Sequence, residues 1–346
     1  MARDSAFNDS EFYRPAARSV WRGATLPAHF GDVAAEYDAL RKRAGLLDRT
    51  DRGLAVVRGA DRRDWLHNLV SNAVKTLAPG VGCYAFALDV RGRVLFDLNI
   101  LADADLLHLD LDSAALPAAL QHLDRYHLSE RVELADQSAA HARLAVIGPD
   151  AARIAADLGA VKFADFPPLS WIEIASGVRL VRVDCGESGF ELHVSREAAV
   201  EWWNRCAGSL GVRPVGLDAW QVLRIESAIP WLGAEIDERV VAPETGQIAR
   251  AISYHKGCYL GQEVVERMRS HGSQARRLVR LHGNQLDAPS ALPVALRSGD
   301  AEVGRVTSLM RQPACDEWIG LGYVRSAVPD GTELLAEGCG VVWIQA

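Results

Sequence analysis

Residues 255–263 read His255-Lys256-Gly257-Cys258-Tyr259-Leu260-Gly261-Gln262-Glu263. Two glycines, Gly257 and Gly261, flank a cysteine, and helical spacing begins directly after it, over about Gln262–Arg269. Glycine lets a backbone adopt positive φ or approach a ligand closely. A cysteine just upstream of a helix start faces unsatisfied N–H groups and the positive end of the helix dipole, both of which favour an anion. With His255 and Lys256 beside it, the thiolate of Cys258 is favoured over the thiol. These are the features of a reactive cysteine; the alternative is a buried cysteine in a structural turn. Lys256 adds weight to the first reading. The chain has 38 basic residues, of which only Lys42, Lys75, Lys162 and Lys256 are lysine. A position that takes the compact ammonium, in a chain that otherwise writes arginine, needs a point charge or has no room for a guanidinium fork.

The rest of the chain narrows the class. Its length of 346 residues exceeds what one hydrophobic core usually serves, so two or three domains are expected. Hydrophobic residues are 49% and charged residues 24%, the balance of a folded chain. Only the first ~20 residues, polar and without periodicity, are candidates for disorder. A formal net charge of −7 argues against broad nucleic-acid binding, which needs a basic surplus. No segment approaches the run of about 18 apolar residues that a membrane helix needs, and the start lacks a signal-peptide core, so a cytoplasmic protein is expected. The six cysteines contain no C-x-x-C pair, hence no zinc ribbon or preformed iron–sulfur site and no metal ligands. Phosphate-cradling glycine loops, H-E-x-x-H and G-x-S-x-G are absent as well.

Along the chain, Val33, Tyr37, Leu40 and Ala44 predict a helix over 32–45 stopped by Gly45, and Asp61 is expected to cap a helix through Leu69. Strand-like runs at 83–90 and 93–102 meet at Arg91-Gly92 as a hairpin. Further strands are expected at 105–111, 142–147, 171–175, 178–184 and 190–194, with helices at 113–126, 150–158, 196–207 and 217–227. Residues 232–256 read as an ordered connecting loop, and six short β-rich runs after 273 as a small barrel or sandwich. The pattern is α+β, divided as an arm (1–24), a first lobe (25–140), a second lobe (141–272) and a C-terminal β-barrel (273–346).

The string Lys256-Gly257-Cys258-Tyr259-Leu260-Gly261-Gln262-Glu263 resembles the signature of the YgfZ-type folate-binding proteins, factors for iron–sulfur cluster assembly and repair. These are relatives of the aminomethyltransferase (T-protein) of the glycine cleavage system. Gly45-Leu46-Leu47-Asp48, Gly82-Cys83-Tyr84 with Gly92-Arg93-Val94-Leu95-Phe96-Asp97, Gly186-Glu187-Ser188-Gly189-Phe190-Glu191, Pro214-Val215-Gly216-Leu217 and Leu223-Arg224-Ile225-Glu226 resemble family segments in order. The resemblance implies a three-part ring of two α+β lobes and a barrel around a central cavity that takes up tetrahydrofolate. A pterin presents an amidine-like N–H edge that a carboxylate accepts in two parallel hydrogen bonds, and Glu191 suits that role; the alternative is a solvated strand residue. Tyr84 is a candidate to stack on the pteroyl group, or else packs in the core. Arg224, on an apolar helix face, must meet a carboxylate, either a Glu226-like partner or the folate. Gly257, Gly261 and Gln262 belong to the same folate-side segment.

Two departures bear on activity. Transferases of this kind carry paired acids in the hairpin, whereas this chain has Phe96-Asp97, and they place a residue other than cysteine where Cys258 stands. The first reading is therefore a tetrahydrofolate-binding factor serving iron–sulfur assembly or client proteins, with Cys258 as nucleophile or transient cluster ligand and Lys256 holding its charge. The second is a folate-dependent aminomethyl- or methyltransferase with Asp97 as acid/base. A third is a scaffold for tRNA or a protein partner, docking through Arg267, Arg269, Arg276 and Arg277.

Overall fold

The computed structural model describes every residue except Met1, Ser273, Gln285, Ala314, Asp316 and Ala346, so the expected domain edges at 1, 273 and 346 lie outside the described residues. The chain is α+β, and two compact units share it: Met1–Ala87, Leu95–Trp220 and Arg250–Leu260 form one, and Leu88–Val94, Gln221–Ala249 and Gly261–Ala346 the other. Among the described residues no helix is long and apolar enough to cross a membrane.

The first unit is built on two large sheets, beside a two-stranded one of Ala17–Trp21 and Ala24–His29. Five strands run in the order Gly82–Leu88, Val94–Ala102, Leu106–Asp112, Arg52–Arg58 and Glu133–Asp136. Six run in the order Trp171–Ala175, Val178–Asp184, Ser188–Ser195, His141–Ile147, Gly45–Asp48 and Arg213–Val215, antiparallel except for the last pair. In the strand Ser188–Ser195 every residue from Gly189 to Val194 is buried, so both faces of that sheet are covered. The usual alternation of apolar and polar residues cannot be expected there. Glu191 and His193 are in consequence interior residues.

Helix Val33–Lys42 ends three residues before its expected stop, because Gly45 opens a strand. A Cβ at Gly45 would fall 2.6 Å from Val215 Cγ2, so the close approach of the parallel strand requires glycine. Asp32 caps the helix by accepting from Ala35 N. The buried Glu36 accepts from Phe30 N at 2.7 Å and Gly216 N at 2.8 Å, tying the helix to two neighbouring segments.

Three expectations are corrected. The first residues are not disordered: Phe7 and Tyr13 are buried in the core, with ring centroids 4.8 and 5.1 Å from Trp203. Isolated aromatics without a period leave no helix or strand signal, although each fills a large core volume. Asp61 precedes helix Arg62–Leu69 but does not cap it; its carboxylate pairs with Arg131 instead. The helix expected at 196–207 is α-helical only over Ala199–Asn204 and widens into a π-helical turn at Arg205–Ser209.

The second unit contains a closed barrel in the order Arg276–Asn284, Glu317–Arg325, Ala301–Arg311, Val294–Ser298, Glu333–Ala336 and Gly340–Ile344, the last strand pairing back on the first. Val279, Leu281, Leu296, Val306, Leu334 and Val342 fill it. The same unit holds a fully buried ion pair, Arg224 Nη1 to Glu235 Oε2 at 2.8 Å. Arg224 also donates to Ser308 Oγ at 2.6 Å and Gln221 Oε1 at 2.9 Å, and Glu235 accepts from Thr307 Oγ1 at 2.9 Å. Arg224 thus meets a protein carboxylate, and it is Glu235 rather than Glu226, which accepts from Gln312.

Phe7→Ala should lower the unfolding free energy by roughly 3–5 kcal/mol, the range for emptying a core aromatic site, read by urea denaturation. A loss below about 1 kcal/mol would mean that the arm does not pack as described.

Candidate functional site

The hairpin Gly82–Leu88 and Val94–Ala102 brings two of the expected residues together: Tyr84 Oη donates to Asp97 Oδ2 at 2.9 Å, and both are buried. A third residue, missed in the sequence, completes the group. The Arg250 guanidinium stands over the Tyr84 ring at 4.0 Å from its centroid, a cation–π contact that also brings positive charge toward Asp97. Asn72 holds this arrangement by donating to the backbone carbonyls of both Tyr84 and Arg250, each at 2.8 Å. Burial raises the proton affinity of Asp97, and Arg52, Tyr84 and Arg250 offset that only in part. A carboxyl whose proton affinity is raised in this way is suited to take and return a proton. Phe96 is buried beside it, its ring 5.9 Å from His122.

Asp97 stands at one end of a buried chain of charges. Arg52 lies within electrostatic reach of Asp97 and donates from Nε to Asp110 Oδ1 at 2.8 Å. Asp110 also accepts from Arg143 Nη1 and from Asn99. Arg143 reaches Glu191 Oε2 at 3.7 Å, and Arg49 donates to Glu191 Oε1 at 2.9 Å and to Asp51. Burial pushes the Glu191 carboxyl up, but Arg49 and Arg143 overcome it and hold the group ionised. His193 faces Glu191 Oε2 at 3.4 Å and is lowered to about 4 by burial, then by Arg143. Glu191 is therefore neither solvated nor isolated. The alternating His108, Asp110 and Asp112 of strand Leu106–Asp112, with the Arg49-Thr50-Asp51-Arg52 run, was the signal available in the sequence.

The segment Arg250–Leu260 is tied to this same unit. Ser71 Oγ donates to Ala251 O at 2.6 Å, and Ser253 N donates to Ser71 O at 3.1 Å. Lys256 donates from Nζ to His67 O and to Val70 O, the latter at 2.6 Å, and stands 4.8 Å from the Tyr259 ring centroid. It thus closes the C-terminal end of helix Arg62–Leu69, where unpaired carbonyls favour a cation. A compact ammonium seated between two carbonyls and a ring explains lysine here. Burial lowers Lys256 to about 8, and the thiol opposing that shift is Cys83. The ammonium is bonded to carbonyls, and the expected charge support for Cys258 is not among its described bonds.

Cys258 is exposed, as are His255 and Gly257. A Cβ at Gly257 would meet nothing within 4 Å, so packing does not demand glycine there. Gly261 differs: its φ is +82°, and an added Cβ would fall 2.5 Å from Asp89 O. It precedes helix Gln262–His271, whose first residue is Gln262. Among the described residues, no group of three or more His, Cys, Asp or Glu is placed to hold a metal ion. Of the four arginines expected to form a docking face, Arg269 pairs with Glu266, Arg276 with Glu244 and Arg277 with Asp330.

The model of the GCVT N-terminal domain matches residues 7–256. An aminomethyltransferase of Geobacillus kaustophilus is 31% identical over 332 residues, spanning 92% of this chain and 90% of its own. One from Rubrobacter xylanophilus is 30% identical over 320 residues, spanning 90% and 84%. The crystal structure of glycine cleavage system aminomethyltransferase T from Bartonella henselae aligns with a TM-score of 0.88 and 21% identity, over 100% of this chain and 97% of that one. At that identity the likeness shows the fold.

Asp97→Asn should raise the thermal midpoint at pH 7. A carboxyl whose folded pKa is raised contributes stability below its unfolded pKa and loses it as pH rises through the folded value, so at pH 7 the buried charge is a net cost. The gain should shrink as the pH falls toward 4, the ordinary carboxyl range; a lower midpoint at pH 7 would contradict this placement. Burial pushes Cys83 and Cys206 up to about 12 and Cys185 to about 11. Iodoacetamide at pH 8, followed by mass spectrometry, should therefore label the exposed Cys258 well before these three. Equal labelling of Cys83 or Cys206 in the native protein would contradict it.

Proposed function

The chain belongs to the family of the GCVT N-terminal domain, with aminomethyltransferases among its relatives, and from this premise we propose that it binds tetrahydrofolate, or another reduced folate, and transfers a one-carbon unit. The observation that carries the reading is the Asp97–Tyr84–Arg250 group, in which a buried carboxylate of raised proton affinity is held in the hairpin by a buried phenol, with the exposed Arg250 over the phenol ring and Arg52 nearby. The residues present fit a folate. Glu191 keeps acceptor capacity for an amidine-like edge, since only Arg49 makes a short bond to it while His193 and Arg143 stand at 3.4 and 3.7 Å.

A bound reduced folate supplies the amine that carries the one-carbon unit. Asp97 holds or accepts the proton that this amine exchanges, at its carboxylate oxygens. Tyr84 orients that carboxylate through its hydroxyl and supplies an apolar ring surface. Arg52 and Arg250 keep Asp97 from remaining permanently protonated, which would remove it as a base. Phe96, next to it in the strand, points to the opposite face, where its ring lies 5.9 Å from that of His122. Cys258 and Gly257 contribute an open, solvent-facing edge rather than a proton path.

One observation favours a second reading. Cys258 is an exposed thiol in a glycine-flanked segment that Lys256 pins in place, and the proton-transfer account leaves it without a task. In the YgfZ-type reading it serves iron–sulfur assembly or client proteins as a nucleophile or transient ligand, with the folate site retained. As a lone cysteine it would need further ligands from the partner.

Purified protein should be assayed with tetrahydrofolate and an aminomethyl donor, in parallel with the activities of iron–sulfur enzymes in a deletion strain. Transfer that falls roughly 10²- to 10⁴-fold in Asp97→Asn, with the iron–sulfur enzymes unchanged on deletion, is the expected outcome. No turnover by wild type, with depressed iron–sulfur enzymes that Cys258→Ala fails to restore, would reject the transferase in favour of the second reading.

A further inference from the structure

A small cavity in the first unit lies where the N-terminal arm, the 49–54 segment and the strands His141–Ile147 and Ser188–Ser195 converge. Its volume is about 20 Å³, enough for one small occupant, since a single water needs roughly 10–15 Å³. Arg3, Arg49, Arg52, Arg143, Arg196 and His193 are on its wall, and no carboxylate is. The acids that balance this charge, Asp51, Asp110 and Glu191, are bonded to Arg49, Arg52 and Arg143 away from the lining.

Among the described residues, the guanidiniums of Arg3 and Arg196 bond to backbone carbonyls. Arg3 donates to Arg52 O at 2.9 Å, to His141 O at 3.1 Å and to Ser138 O. Arg196 reaches Asp4 O at 3.5 Å. Carbonyls satisfy N–H groups but cancel no net charge. Burial, then repulsion from Arg143 and Arg196, lowers the proton affinity of Arg3, outweighing the pull of Asp136 and Asp48. His193 is 3% exposed, and among the described residues its Nδ1 has no partner. Because the one N–H of this neutral ring faces Glu191, Nδ1 presents a lone pair, and the wall's attraction for an anion comes from the guanidiniums.

We propose that this cavity binds one small monovalent inorganic anion, chloride in ordinary buffers, held by Arg3 and Arg196. A wall of donors without an acidic side chain favours an anion over water, and the volume excludes phosphate or a carboxylate ligand with a body attached. The bound ion relieves the crowding of like charges and clasps the arm through Arg3 to the two strands. It therefore acts on stability, independently of folate chemistry.

Bromide is the probe, because it substitutes for chloride and scatters anomalously. Crystals of the full chain soaked in sodium bromide should show an anomalous peak inside the cavity beside Arg3 and Arg196. In solution, replacing gluconate by bromide at constant ionic strength should raise the thermal midpoint saturably. Arg196→Met, which removes a partly exposed cation with a single long bond, should weaken that dependence at least tenfold. A cavity without an anomalous peak, or midpoints equal in gluconate and bromide, would overturn the proposal and leave the cavity to water.

Discussion

The run of buried charges Arg52, Asp110, Arg143, Glu191 and Arg49 is the constraint on which the first unit depends. Moving an ion out of water costs several kcal/mol even after relaxation, and only close, hydrogen-bonded counter-charges offset it. Removing one member would leave its partner charged and unpaired, so the run behaves as a single object. It also crosses the unit: Asp110 lies in the five-stranded sheet, Arg143 and Glu191 lie in the six-stranded one, and the bonds between them couple the two sheets.

That rigidity has a functional consequence at the end of the run. Burial raises the proton affinity of Asp97, and Arg52, Tyr84 and Arg250 oppose that shift without cancelling it. A group balanced in this way is poor for stability and good for proton exchange, the usual trade at a working site. The fully buried Arg224–Glu235 pair of the second unit is a contrast. Its bonds are filled by Ser308, Thr307 and Gln221, so it fixes structure and holds no group in reserve.

Much of the architecture was legible because it rests on local periodicity and turn chemistry. The hairpin over Arg91-Gly92 and the six strands of the barrel are of that kind, as is the glycine-punctuated loop before Gln262. Tyr84 and Asp97 were each singled out as hairpin residues, but the hydrogen bond that joins them across it is a finding of the structure. Other parts depend on contacts distant in sequence. Phe7 and Tyr13 carry no period yet meet Trp203 in the core, and Arg250 reaches Tyr84 through Asn72. Lys256 was identified by its rarity, but its partners, the carbonyls of His67 and Val70, are nearly two hundred positions away. Aminomethyltransferases about 30% identical over nine-tenths of the chain give the transferase reading more weight than the cysteine segment suggested on its own.

The central claim is that this charge framework presents a reduced-folate site, and calorimetric titration with tetrahydrofolate tests it most directly. Wild type should bind one equivalent. Glu191→Gln, titrated at a temperature where its helical signal equals that of wild type, should lose roughly 1.5–3 kcal/mol, the range for a charged hydrogen-bond partner. No binding heat from wild type, or an unchanged dissociation constant in the variant, would contradict the account.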